Sequence, residues 1–298
     1  MLNIPYQHSP VMVPEVLGFL NLRSGGTYVD CTLGGGGHAQ ALLGKFKTCL
    51  PAGKVQNPNI KIIGFDQDGE AIAAAKQRLA GFKDIEYIND NFVNLKEHLK
   101  HKVDGFLFDL GVSSYQIDAA ERGFSLQQDG PLDMRMDQGQ ELTAARIINH
   151  SSTEELEKIF QEYGEERFAR RIARAVIGQR PFSTTFQLKA IIEKAIPTWK
   201  KRESVTRIFQ ALRIAVNAEL DNLTAAVSDA VALLNPGGRI VVIAYHSLED
   251  RIIKRAFRDF AKNAILGVLT KKPITPGKDE VAENPRARSA KLRAAEKL

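Results

Sequence analysis

Four consecutive glycines, Gly34 to Gly37, stand between the apolar run Thr27-Tyr-Val-Asp30 and a helix-forming stretch that begins near Ala39. Glycine is needed where backbone takes a positive φ or passes close to a ligand, and a helix N-terminus behind such a loop offers unpaired N–H groups. Placed directly after a strand, this run implies an α/β fold with a ligand loop at the carboxyl edge of its sheet. Three more short apolar runs end in polar residues: Lys61-Ile-Ile-Gly-Phe-Asp66, Glu86-Tyr-Ile-Asn-Asp90 and Asp104-Gly-Phe-Leu-Phe-Asp109. They read as buried parallel strands. The strong helix former from Glu70 to Ala80, stopped by Gly81, lies between the second and third, so the pattern is that of a doubly wound α/β sheet. A fifth strand, Arg239 to Tyr245, follows the turn Asn235-Pro-Gly-Gly238. It comes about 130 residues after the fourth, far beyond a normal crossover.

Helical patterns fill that gap. An inserted α-helical domain is therefore expected over 116–203, with the sheet domain discontinuous over 1–115 and 204–298. Ser152-Thr-Glu-Glu155 forms a capping box, and Leu156, Ile159, Phe160 and Tyr163 then repeat at helical spacing. Phe209, Leu212, Val216, Leu220 and Leu223 predict one helix of the sheet domain, leading into the fifth strand. The stretch from Gly267 to Pro285, with three prolines and several charges, reads as a loop.

No apolar run is long enough to cross a bilayer, and Met1 to His8 has neither the basic nor the apolar region of a secretory signal, so a cytoplasmic location is expected. Cys31 and Cys49 belong to no Cys-x-x-Cys pair, which leaves a disulfide framework or a zinc ribbon unsupported. His98 and His101 have metal-like spacing but no carboxylate or cysteine partner in view, so they read as surface residues and no metal is expected.

The net charge is +6, and from Arg251 to the C-terminus 13 Lys or Arg stand against 5 Asp or Glu. That segment is either a phosphate-facing surface or a solvated tail. Arg286 and Arg288 within it are candidate phosphate contacts. Arg167, Arg170, Arg171 and Arg174 recur on one helical face, suited to RNA contact or, with Glu165 and Glu166, to a salt-bridged surface.

Gly34-x-Gly36-x-x-Ala39 also satisfies the dinucleotide fingerprint, which makes a nicotinamide-dependent dehydrogenase one rival. Asp66 at a strand end suits ribose hydroxyls in either kind of site. Asp30 before the loop would repel a pyrophosphate but serve an amino group, which favours S-adenosylmethionine, unless both carboxylates merely cap loops. A nonenzymatic RNA-binding protein and a methyltransferase for DNA or another base also remain open at this level.

The strings Asp109-Leu-Gly-Val-Ser-Ser-Tyr-Gln116, Glu121 to Asp137, Tyr163 to Phe168, His246-Ser-Leu-Glu-Asp-Arg251 and Glu283 to Ser289 narrow the field. With the glycine loop, and spanning nearly the whole chain in order, they resemble the ribosomal RNA small subunit methyltransferase H family. The resemblance implies a class I (Rossmann-like) methyltransferase sheet with an inserted helical domain, S-adenosylmethionine as cofactor, and methylation at N4 of one cytidine in the decoding region of small-subunit ribosomal RNA. A homodimer is also implied. Carried over by position, the cofactor contacts fall on Gly36, Gly37, His38, Asp66, Phe92, Asp109 and Gln116. The chain differs from a common family form at Gly35 and Tyr115, where arginine and proline also occur. Neither change removes a ligand group.

Cytosine's exocyclic amine is a poor nucleophile because its lone pair is delocalised, so acceptors on its N–H groups would assist attack. Asp109 is the first candidate, as acceptor or as cofactor ligand, with the Gly111 to Ser113 carbonyls as helpers. Ser113 and His246 complete the catalytic set, His246 on the target-base side. The alternative for His246-Ser247 is a polar turn in which Ser247 caps the next helix.

Overall fold

The computed structural model describes residues 10–45 and 60–298. The expectations for Met1 to His8 and for Cys49 fall outside them. The chain divides into two units, one comprising the residues up to Gly111 together with Leu220–Leu298, the other Val112–Glu219.

The first unit begins with helix α1 (Val13–Leu20), β1 (Thr27–Asp30), α2 (Gly37–Gly44), β2 (Lys61–Phe65), α3 (Gly69–Arg78), β3 (Ile85–Ile88), α4 (Leu95–His98) and β4 (Val103–Asp109). The four apolar runs are these strands, within one or two residues of the expected bounds. Side chains alternate between two cores. Val29, Ile63, Phe106 and Phe108 enter one cluster, while Tyr28, Ile62 and Leu107 enter another with α1 to α3. A sheet buried on both faces explains why these strands read as continuous apolar runs.

The second unit holds α5 (Ser114–Asp118), α6 (Ala144–His150), α7 (Thr153–Glu162), α8 (Ala169–Ile177), α9 (Thr185–Ala195) and α10 (Lys201–Asn217) around its own apolar cluster. Capping boxes start α7 at Ser152 with Glu155 and α9 at Thr184 with Gln187. The expected boundaries of 116 and 203 become 112 and 219, because α10 belongs here. Phe209, Leu212 and Val216 pack into this unit's core. The single helix expected from Phe209 to Leu223 is broken at Ala218, which adopts the left-handed conformation with φ 49°. The next helix carries Leu223 into the sheet unit's core.

That next helix, α11 (Glu219–Leu233), returns the chain to β5 (Leu234–Ala244), α12 (Ser247–Lys262), β6 (Leu266–Val268), α13 (Lys278–Glu283) and β7 (Lys291–Lys297). The stretch expected as a turn at 235–238 is instead the bulged start of β5: Val103 pairs with Leu234 but Gly105 with Arg239. Sheet order is β3-β2-β1-β4-β5-β7-β6, parallel from β3 to β5, with β7 antiparallel between β5 and β6. This is the arrangement of a class I methyltransferase sheet.

The basic C-terminal segment is thus not a tail. Leu292, Ala294 and Ala295 are buried, and Arg293 lies against Asp250 of α12 with Nε to Oδ1 at 2.6 Å. The loop expected over Gly267 to Pro285 contains part of β6 and all of α13. Among the described residues, no helix is long and apolar enough to cross a membrane.

Candidate active site

The loop after β1 turns twice through left-handed glycines, Gly34 at φ 52° and Gly36 at φ 77°. A Cβ on Gly36 would stand 2.8 Å from Leu79 Cδ1, so both conformation and space demand glycine there. Gly37 opens α2, and His38 is buried in its first turn.

Three carboxylates converge where β1, β2 and β4 end. Asp66, just past β2, accepts the Gly34 N–H on Oδ2 at 2.8 Å and the Asp68 N–H on Oδ1 at 2.9 Å. Loss of hydration pushes its carboxyl up to about 7 against the pull of those two N–H groups. Asp30, at the end of β1, is 1% exposed. One of its oxygens takes the Thr32 N–H, while Oδ2 is buried without a partner. Burial pushes its carboxyl up to about 6, with nearby His38 opposing.

Asp109 ends β4. Its backbone N–H donates to Thr32 Oγ1, its Oδ1 accepts the Tyr245 hydroxyl at 2.9 Å, and its Oδ2 lies 3.6 Å from His38 Nδ1. The other nitrogen of His38 lies 2.9 Å from the Val11 carbonyl, which can only accept, so Nε2 carries a proton and Nδ1 faces the carboxylate. Burial and the Asp109 charge push the Tyr245 phenol well up, so it stays a donor. Phe92 follows Asn91, which caps a short 3₁₀ turn, and its ring meets Phe108 edge to face at 5.6 Å.

Gly36, Gly37, His38, Asp66, Phe92 and Asp109 therefore share the carboxyl edge of one sheet. His246 lies on the same unit, after β5, and is the cap of α12 in place of the Ser247 considered from sequence. Its Nδ1 accepts the Glu249 N–H, and its Nε2 is buried without a hydrogen-bond partner. Glu249 in turn accepts from the Tyr245 and His246 N–H groups.

Ser113 and Gln116 belong to the second unit, where they form the capping box of α5: Ser113 Oγ accepts the Gln116 N–H, and Gln116 Oε1 accepts the Ser113 N–H. That role was legible in the Ser-x-x-Gln spacing. Thr32 and Tyr245 were missed as site residues, because nothing local in the sequence marks contacts across 77 and 136 positions. His98 has a carboxylate partner after all, Asp90 Oδ2 at 2.7 Å, which with Asn94 and Asn91 holds the Asp90 carboxyl below its usual range despite partial burial.

An S-adenosylmethionine fits these residues on one observation: the orphaned Asp30 Oδ2 suits a cationic amino group.

The MraW methylase family matches residues 5–298 of the chain. Curated relatives named ribosomal RNA small subunit methyltransferase H are similar over nearly their whole length. The protein of Halothermothrix orenii is 46% identical, covering 98% of this chain and 99% of its own. That of Geotalea daltonii is 47% identical with the same coverage. That of Dehalococcoides mccartyi is 46% identical, over 99% of this chain and 88% of its own. The chain belongs to the MraW methylase family.

Proposed function

We propose that the protein transfers a methyl group from S-adenosylmethionine to the exocyclic N4 of a cytidine in the decoding region of small-subunit ribosomal RNA. The observation that carries the chemistry is the convergence of Asp30, Asp66 and Asp109 at adjacent strand ends, each held by backbone or neighbouring side chains. The names of the relatives support the RNA substrate.

When bound, the cofactor supplies an electrophilic methyl on a sulfonium. Asp66 has a lone pair left on each oxygen for ribose hydroxyls, Asp30 Oδ2 takes the amino group, and Phe92 packs on the adenine. Gly36 and Gly37 give the backbone close approach, and Gln116 is assigned to the cofactor by the resemblance. Asp109, oriented by Tyr245 and Thr32, accepts from the cytosine amine and so localises its lone pair. On transfer of the methyl group to the amine, its proton would pass to that carboxylate. His246 is assigned to the target-base side, and Ser113 stays a catalytic candidate from its place in the sequence string. A C5 route needs a thiolate, but Cys31 is 1% exposed, and burial, with the Asp30 charge, pushes its thiol well up. The helical unit recognises the RNA.

The test is methyl transfer from labelled S-adenosylmethionine to small subunits lacking the modification, followed by nucleoside mass analysis. Label in N4-methylcytidine is expected. Label in another nucleoside, or none, overturns the assignment.

A further inference from the structure

The helical unit is nearly neutral as a whole, yet its charge is split along the chain. Residues 112–166 carry 12 acidic against 4 basic side chains, whereas residues 167–207 carry 11 basic against 2 acidic. The second stretch is α8, α9 and the start of α10. On α8 the apolar side, Ile172, Ala173 and Val176, enters the core, which turns Arg170, Arg171 and Arg174 outward. These three, with Lys194, Lys201 and Arg202, hold no ion pair among the described residues, and Glu166 faces Arg207 instead. Six cations are thus left without counterions among the described residues.

The same stretch exposes aromatic rings. Trp199, the one tryptophan of the chain, is 77% exposed, and Phe186 is 39% exposed. Each has a lysine over its ring: Lys200 Nζ is 5.2 Å from the Trp199 centroid, and Lys189 Nζ is 5.2 Å from that of Phe186. Trp199 sits in a 3₁₀ turn between Pro197 and α10, and this fixes its backbone. Arg167, ahead of α8, and Lys200, beside Trp199, act on one carboxylate. Glu203 pairs with Lys200 and Arg207, and the Arg167 charge also reaches it. An exposed indole among unneutralised cations is the combination that grips single-stranded nucleic acid, where bases stack on rings and phosphates meet Lys and Arg.

We propose that α8 to α10 form a docking surface for unpaired RNA. Trp199 stacks one base while Arg170, Arg171, Arg174, Lys194, Lys201 and Arg202 meet the flanking phosphates. This rests on the reading of the protein as an RNA methyltransferase, and it assigns the contact to one half of the helical unit.

The full-length protein is titrated with a short single-stranded RNA, and the fluorescence of its only tryptophan is followed across a salt series. Quenching is expected; Trp199→Ala, which removes that signal, is followed by the anisotropy of end-labelled RNA and should bind about tenfold more weakly. Arg170→Ala, Arg171→Ala and Arg174→Ala together should flatten the log–log salt dependence by about two. Arg146→Ala, the loss of one cation on α6 outside the basic stretch, should leave binding unchanged. In methyl transfer to small subunits Trp199→Ala should raise KM with S-adenosylmethionine affinity intact.

No quenching, or equal losses in the Arg146 variant, overturns the proposal. So does a tryptophan emission maximum that shifts with protein concentration without RNA, which would mean that the basic half meets the acidic half of a second copy. If instead the wild type quenches with RNA but methylates no subunit, the docking surface stands and the proposed function fails.

Discussion

The two units use charge in opposite ways. In the sheet unit Asp30 and the side chain of Asp109 are nearly enclosed, and with Asp66 they are fixed by N–H and hydroxyl donors at the strand ends. In the helical unit the buried polar groups serve its own loop: Asn217 bonds the Met136 N–H and the Met134 carbonyl, and Arg122 bonds the carbonyls of Arg135 and Met136. The unpaired cations of α8 to α10 lie outside. Enclosed charges act strongly on a small ligand because little water screens them, whereas a long polyanion is gripped by many exposed cations, each weak and salt-sensitive. Single substitutions should therefore act steeply in the first unit and shallowly in the second.

Asp109→Asn is the largest expected break in that pattern. It keeps the shape but removes the base, so turnover should fall about 10³-fold while S-adenosylmethionine affinity changes little. Single-turnover rates with calorimetry on the same variant check this. Equal loss in both would make Asp109 a cofactor ligand only. Asp66→Ala should do the reverse, weakening the cofactor about tenfold to a hundredfold through lost charge-assisted hydrogen bonds. Since the Asp66 carboxyl is held up to about 7, its charged form is depleted as pH falls from 8 to 6. Wild-type cofactor affinity should fall over that interval, and Asp66→Ala should flatten the profile.

Asp30 sharpens the comparison through stability. Its folded pKa of about 6 lies above the ordinary 3.8, so the fold favours the protonated carboxyl, and stability is lost as pH rises from about 4 through 6. The shift corresponds to roughly 2 to 3 kcal/mol. Asp30→Asn should raise the melting temperature at pH 8, show little gain near pH 3.5, below both values, and weaken the cofactor. A gain of the same size at both pH values would mean that the buried charge is not its source.

Legibility did not follow that division but the range of the contacts. β1, β2 and β4 were readable because strands buried on both faces are uniformly apolar, and their terminal carboxylates marked the site. β7 was not, since Lys291-Leu-Arg-Ala-Ala-Glu-Lys297 has the composition of a solvated tail. Its central place depends on Arg293 finding Asp250 and on Arg239 of β5 pairing with Glu296. Such long-range pairs leave no local signal. The Tyr245 and Thr32 contacts with Asp109 were hidden for the same reason, whereas the Ser113–Gln116 box was available in the spacing.

The smallest expected effect lies where the two units meet in sequence. Alanine is the best helix former, so periodicity carried a helix straight through Ala218, yet that residue sits at φ 49°. A left-handed alanine costs roughly 1 kcal/mol relative to glycine, and glycine's freer unfolded chain returns part of it. Ala218→Gly should therefore stabilise the fold by about 0.5 kcal/mol with no change in cofactor affinity. Gly36→Ala reverses the exchange: it adds the same strain and a methyl group against Leu79, and so should destabilise by about 2 kcal/mol and weaken the cofactor as well. Thermal melts of the two variants side by side decide the matter. If Ala218→Gly lowered the melting temperature, the break between α10 and α11 would be held by helix propensity on either side rather than strained against it.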